Sequence, residues 1–186
     1  MRWNAFGTVV ALVEADITSV PADVVVNAAN AALAGGGGVD GAIHRAAGPS
    51  VQQACNALPF VRPGVRCPTG EVRATVAGNL RAQHIVHAVG PIYDARAPAA
   101  SDRALASAYT AALTETVRLG GATVVLPALS TGAFRFPVRL AARVAAKAVA
   151  EFLQDHPAAL TSVTFALFSA RDHAVFVEAF DLTLGQ

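Results

Sequence analysis

The chain has 186 residues, 54% hydrophobic and 15% charged, with a formal net charge of +1 and a pI near 7.9. That length suits one domain, 1–186, the apolar share excludes a disordered chain, and the near-neutral charge without a basic block excludes the footprint of a nucleic-acid binder. No apolar run reaches the roughly 18 residues that mark a membrane helix, and Met1-Arg2-Trp3-Asn4 does not open a signal peptide.

A cytoplasmic location is therefore expected. The two cysteines, Cys55 and Cys67, are too few for a disulfide framework or the usual zinc site. They read as buried, inert thiols in a reducing compartment.

In chain order, Phe6 to Val13 is rich in β-branched residues and predicts a strand. Ser19 to Asp23 is a turn. Val24 to Ala28 is apolar without alternation, as in strands buried on both faces. Asn27 to His44 then gathers two carboxamides, Asn27 and Asn30, the run Gly35-Gly36-Gly37-Gly38, the carboxylate of Asp40 and His44. Consecutive glycines cost backbone entropy, which suggests that something approaches the backbone closely.

Asp40 to Ala47 predicts a helix, ended by Gly48-Pro49, and Ser50 reads as the N-cap of a second helix to Leu58. Pro59 to Gly70 is a loop. Glu71 to Ala77 and His84 to Val89 predict strands, the latter closed by Gly90-Pro91. A helix follows from Ser101 to Leu119, then a short buried strand, Thr123 to Leu126. The loop Ala128 to Phe136 leads to a helix opened by Pro137 at its first position and running to Gln154. A strand from Thr161 to Phe168 and a helix from Asp172 to Phe180 complete the chain.

Alternation of strands and helices points to a three-layer α/β/α domain, with ligands outside the carboxyl ends of the strands. Both special loops follow a strand and feed a helix. Helix N-termini attract anions, so the pair suggests a cradle for two phosphates. The pattern is neither a P-loop nor a good dinucleotide-binding fingerprint.

Asp16-Ile17-Thr18, Asn27-Ala28-Ala29-Asn30, Gly35 to His44, Cys67-Pro68-Thr69-Gly70-Glu71, His87-Ala88-Val89-Gly90-Pro91 and Ser130-Thr131-Gly132 occur in this order. Together they make the chain resemble the macrodomain family, nearest its MacroD-type branch of ADP-ribosyl hydrolases. The resemblance implies a mixed, mostly parallel sheet of six or seven strands and an ADP-ribose cleft. Asp16 matches the adenine-binding carboxylate and Ile17 a neighbouring backbone contact. Gly36, Gly37, Gly38 and Val39 match the first pyrophosphate loop. Ser130, Thr131, Gly132 and Ala133 match the second, with Phe134 beside the distal ribose and Phe168 as an adenine-side wall. Asn30, Asp40 and His44 match the catalytic positions. Two residues depart from the family's glycines: Ala15, and Arg135, which either clamps the ligand or extends into solvent.

The implied chemistry is removal of mono-ADP-ribose from acidic side chains of proteins and deacetylation of O-acetyl-ADP-ribose, without metal or cofactor, by a monomer. Asp40 would orient or deprotonate a water, and Asn30 would hold the water or the ribose. Plainer readings stand beside these: Asp40 as a helix N-cap, Asn30 as a turn residue, His44 and His87 as buried structural histidines, and Asn27 as a support for the loop or ribose. Asp40 with His44 offers too few ligands for a metal. The rival functions are a non-catalytic ADP-ribose reader and an ADP-ribose 1″-phosphate phosphatase.

Overall fold

The computed structural model describes residues 1–185. In chain order the elements are β1 (Arg2–Ala5), β2 (Thr8–Glu14), a 3-10 turn (Ile17–Ser19), β3 (Val24–Ala28), α1 (Gly38–Ala47), α2 (Pro49–Ala57), β4 (Val72–Val76), β5 (His84–Ala88), α3 (Pro98–Arg118), β6 (Thr123–Leu126), α4 (Val138–Asp155), β7 (Ser162–Leu167) and α5 (Ala170–Leu184). The strands form one seven-stranded sheet in the order β1-β2-β7-β6-β3-β5-β4. The five inner strands run parallel, and antiparallel β1 and β4 close the two edges. The sheet lies between helical layers, a three-layer α/β/α arrangement.

The sheet's period of two divides the core. Val24 and Val26 of β3 and Val86 of β5 join the core beneath α3, α4 and α5. Val25 of β3 and Ile85 of β5 join the core beneath α1 and α2. Strand β3 sits between β6 and β5, which is why its valines are apolar on both faces. Alanines at helical spacing on α4, Ala141, Ala142, Ala145, Ala146 and Ala148, let that helix pack close.

Several expected boundaries shift for local reasons. Phe6 does not open a strand. With φ 51° it forms, with Gly7 at φ 82°, the tight turn between β1 and β2. Ser50 is not a cap, since α2 begins at Pro49 behind Gly48, whose φ is 84°. Pro137 precedes α4 as its N-cap rather than occupying the first helical position. Helix α5 starts earlier and runs longer than expected, because Ser169 caps it by accepting from the Asp172 amide at 3.1 Å.

The amino ends of the central strands are bolted by Asp23. Its Oδ2 accepts from the amides of Ala122 and Thr123 and from Thr123 Oγ1, each at 2.9 Å. Led by the Thr123 hydroxyl, these bonds hold the carboxyl below the usual carboxylate range. Asp23→Ala is expected to cost about 1–2 kcal/mol at neutral pH, discounted for partial exposure. Because the folded value is depressed, the contribution is full at neutral pH and fades as acid titrates Asp23 below its ordinary value. Urea denaturation of both proteins at neutral and acidic pH checks this: the two curves should converge in acid.

Candidate active site

A cleft of about 760 Å³ opens at the carboxyl ends of the parallel strands. Its size is ordinary for a small-molecule site. The loop after β3 with the start of α1 forms one wall, and the loop after β6 another. These are the two loops that sequence spacing singled out.

The first loop is shaped by its own side chains. Asn30 Nδ2 donates to the Gly35 carbonyl at 2.8 Å, closing a tight bend that holds Leu33 at φ 53° and Gly35 at φ 75°. A Cβ on Gly41 would stand 2.5 Å from the Gly36 carbonyl oxygen, so only glycine lets the loop lie on the first turn of α1. No side chain caps α1 at Gly37. Its first-turn amides are thus left for an anion, with Gly36, Gly37, Gly38 and Val39 all on the cleft wall.

The second loop rests on Tyr109, which is fully buried. Its hydroxyl donates to the Pro127 carbonyl at 3.2 Å and accepts from the Leu129 amide at 2.9 Å. Ser130 is left-handed at φ 66°, and Oγ is buried with no partner among the described residues. It fits against Gly90, where a Cβ would collide with Oγ. The loop is closed by Phe136 N to Ser130 O at 3.0 Å and Arg135 N to Gly132 O at 2.9 Å. Ser130, Thr131, Gly132, Ala133 and Phe134 all line the cleft.

Asp40 lies between these walls and is 6% exposed. It is the third residue of α1, not its N-cap, so the capping role does not apply. Its Oδ1 accepts from Asn27 Nδ2 at 2.6 Å and lies 3.4 Å from His44 Nε2, one turn along the helix. Its Oδ2 is buried with no partner among the described residues and faces Gly36, 3.1 Å from where a Cβ there would stand. One oxygen is thus committed to the protein and the other is unpartnered at the cleft. Asn30 lines the cleft beside it.

At the far end, Asp16 caps the 3-10 turn, its Oδ1 accepting from the Thr18 amide and hydroxyl at 2.9 and 2.7 Å. Its second oxygen has no hydrogen-bond partner among the described residues. Ile17 and Phe168 also line the cleft, and Phe168 is 82% exposed at the rim. Ala15 has no left-handed backbone, so alanine is accommodated there without strain.

Three expected site residues are not on the cleft wall. Asn27 is fully buried behind Asp40 and meets that carboxylate rather than a ligand. His44 also backs Asp40. Arg135 is exposed, outside the cleft lining and left-handed at φ 55°, a backbone conformation that favours glycine. Arg45 and Asp172 also line the cleft, which the sequence motifs do not indicate. Arg45 follows Gly41 by one helical turn, and Asp172 stands in the first turn after Phe168, so helical spacing offered a signal for both.

Cys55 and Cys67 are buried, and burial pushes both thiols up to about 11, as inert thiols require. The fold also brings His44, Cys55 and His87 together, with ligand atoms within 4.8 Å of one another, a grouping that sequence spacing did not reveal. Both nitrogens of His87 already have hydrogen-bond partners, Asn27 Nδ2 at 3.1 Å and Thr75 Oγ1 at 2.8 Å. The donor set is therefore a closed hydrogen-bonded core and fits a metal poorly.

A family model described as "Macro domain" matches residues 26–145. A macro domain-containing protein of Xanthomonas axonopodis is 47% identical over 144 residues, covering 77% of this chain and 79% of the relative. A protein of Escherichia fergusonii named O-acetyl-ADP-ribose deacetylase is 43% identical over 145 residues, covering 78% and 80%. A mutant Oceanobacillus iheyensis macrodomain solved with ADPR superposes with a TM-score of 0.93 at 35% identity, covering 100% of this chain and 99% of the other.

Two outcomes are expected at this site. Arg135→Gly should leave ADP-ribose affinity within about twofold by calorimetry and raise stability by up to about 1 kcal/mol, since it relieves a left-handed side chain. His87, held by burial down to about 3 from an ordinary 6.5, stays neutral in the folded chain while the unfolded chain binds its proton. Its contribution is whole above pH 6.5 and is lost as the pH falls toward 3. Denaturation curves should show a slope of up to about 1.4 kcal/mol per pH unit across that window.

Proposed function

The chain belongs to the macro domain family, and on that premise we propose that it is an ADP-ribose-binding hydrolase. Its substrates are mono-ADP-ribose esters on Asp and Glu side chains of proteins, and O-acetyl-ADP-ribose. The observation that carries the reading is Asp40, with Oδ1 fixed by Asn27 and Oδ2 buried, without a partner among the described residues, on a cleft lined by the two glycine-containing loops.

ADP-ribose would lie across the carboxyl edge of the sheet. Adenine would sit between Asp16 and Phe168, and the pyrophosphate between the amides of Gly36–Val39 and those of Ser130–Ala133. Phe134, half-buried, would pack on the distal ribose and limit water. The ester would then meet Asp40. Asn30 spends one amide hydrogen on Gly35 and keeps the other for a ribose hydroxyl or a water.

The reaction adds water across the ester. The water oxygen bonds to the anomeric carbon or to the ester carbonyl, the C–O bond at that centre breaks, and the leaving oxygen takes up a proton. Asp40 is a weak base, so its main contribution is to hold the water at attacking distance, with a substrate phosphate sharing the activation. The half-buried His44 stands behind the carboxylate and limits its freedom to rotate. Neither metal nor cofactor has a role in this scheme, and one chain contains the whole site.

The test is incubation with a protein auto-ADP-ribosylated on glutamate. Wild type should release ADP-ribose, and Asp40→Ala should lose that release by roughly a hundredfold or more while retaining ADP-ribose binding. Tight binding without release by the wild type would instead identify a reader. Release only from ADP-ribose 1″-phosphate would identify the phosphatase. In 18O-labelled water, label in the released ADP-ribose marks attack at the anomeric carbon, and label in the freed carboxylate marks attack at the carbonyl.

A further inference from the structure

Behind Asp40 lies a buried polar chain. Strands β3 and β5 pair in a register that sets Asn27 directly beside His87. Both side chains are fully buried on the α1 and α2 face of the sheet. Asn27 Nδ2 is 2.6 Å from Asp40 Oδ1 and 3.1 Å from His87 Nδ1, and His87 Nε2 is 2.8 Å from Thr75 Oγ1 on β4. Four residues from three strands and one helix are thus strung on one hydrogen-bond path that ends at the cleft.

The direction of each bond follows from donor chemistry. A carboxylate only accepts, so the Asn27 atom facing Asp40 is the NH₂ group. That same group faces His87 Nδ1, which must then present its lone pair. A neutral imidazole with Nδ1 bare carries its proton on Nε2, where the Thr75 hydroxyl accepts it. Thr75 Oγ1 in turn donates to the Val76 carbonyl at 3.2 Å.

We propose that His87 is a positioning residue for Asp40: as the neutral Nε2–H tautomer it accepts from Asn27 and so turns the Asn27 carboxamide to donate to the carboxylate. Asn27 Oδ1 has no partner among the described residues, so nothing on that side holds the amide. An amide flip would set Oδ1 against Asp40 Oδ1, acceptor against acceptor. The lone pair on His87 Nδ1 opposes the flip, because it too needs the NH₂ group. Burial and the nearby His44 keep the ring neutral, which preserves that lone pair. With Oδ1 secured, Oδ2 stays aimed at the cleft.

The kinetic arm of the test rests on the proposed hydrolysis. His87→Asn places an amide oxygen where Nδ1 stood, keeping an acceptor for Asn27. His87→Gln reaches the Nε2 position and Thr75 but leaves Asn27 without that acceptor. Both lose packing, so denaturation should show comparable destabilisation. His87→Gln is expected to lower kcat for ADP-ribose release roughly tenfold to a hundredfold with KM within about twofold, and His87→Asn to restore most of kcat. Equal kcat losses that track stability, no loss in either, or a loss carried by KM would overturn the proposal.

A second arm needs no activity. Nitrogen-15 NMR of histidine-labelled wild type should show His87 with Nδ1 bare and Nε2 protonated from pH 5 to 8. A proton on Nδ1, or a charged ring, overturns the proposal. If the wild type turns nothing over, the proposed function falls and the NMR result alone decides the role of His87.

Discussion

The hydrogen bond from Asn27 to Asp40 joins strand β3 to helix α1 across the loop that separates them. It is short, buried and made to a charged acceptor, the kind that contributes about 1.5–3 kcal/mol. Its greater effect is geometric. It fixes where α1 begins relative to the sheet, and so where the glycine-rich segment must pass. Gly41 can then lie against the Gly36 carbonyl, and Gly38, Val39 and Asp40 of the first turn line the cleft. Without that tie, Asp40 would be a buried carboxylate with one weak contact to His44, an expensive state.

The rest of the fold divides its labour around this point. On one face α3, α4 and α5 bury a large apolar layer that needs no polar group near the sheet. On the other, the core under α1 and α2 is smaller and admits Asn27, His87 and Thr75 among its apolar side chains. The polar chain enters where the sheet is covered by the two short helices, directly under the cleft. Asp23 ties the opposite ends of the strands, so the loops that carry the ligand-binding amides project from a frame secured at both ends.

The second wall obeys a similar logic. Tyr109 crosses the core to brace Pro127 and Leu129, and Gly90 makes room for Ser130 in a left-handed conformation. The backbone at Arg135 is left-handed too, although an arginine stands there. The loop keeps a closed turn through its own backbone bonds, so the turn geometry dominates over the residue's preference, and Arg135 stays exposed outside the cleft lining.

Much of this was legible in the chain. Strands β3 and β6 have the bounds that the sequence predicts, Val24–Ala28 and Thr123–Leu126, because continuous apolar runs between turn residues leave little choice. The two loops and the glycines of the first were legible for a similar reason: local backbone demands appear as local residue types. Strand β1 was not, since Arg2–Ala5 is a strand only by pairing with β2. Nor was the role of Asn27, which reads as a loop or ribose contact until the β3–β5 register sets it against His87 and the fold brings Asp40 over it. The sequence by itself determined the order of the five helices and of strands β2 to β7, and the residue types of the two cleft loops, because both are written in periodicity and in residue type. Only the tertiary structure decided which polar groups meet, because hydrogen bonds between distant strands depend on register and distance, which no local pattern encodes.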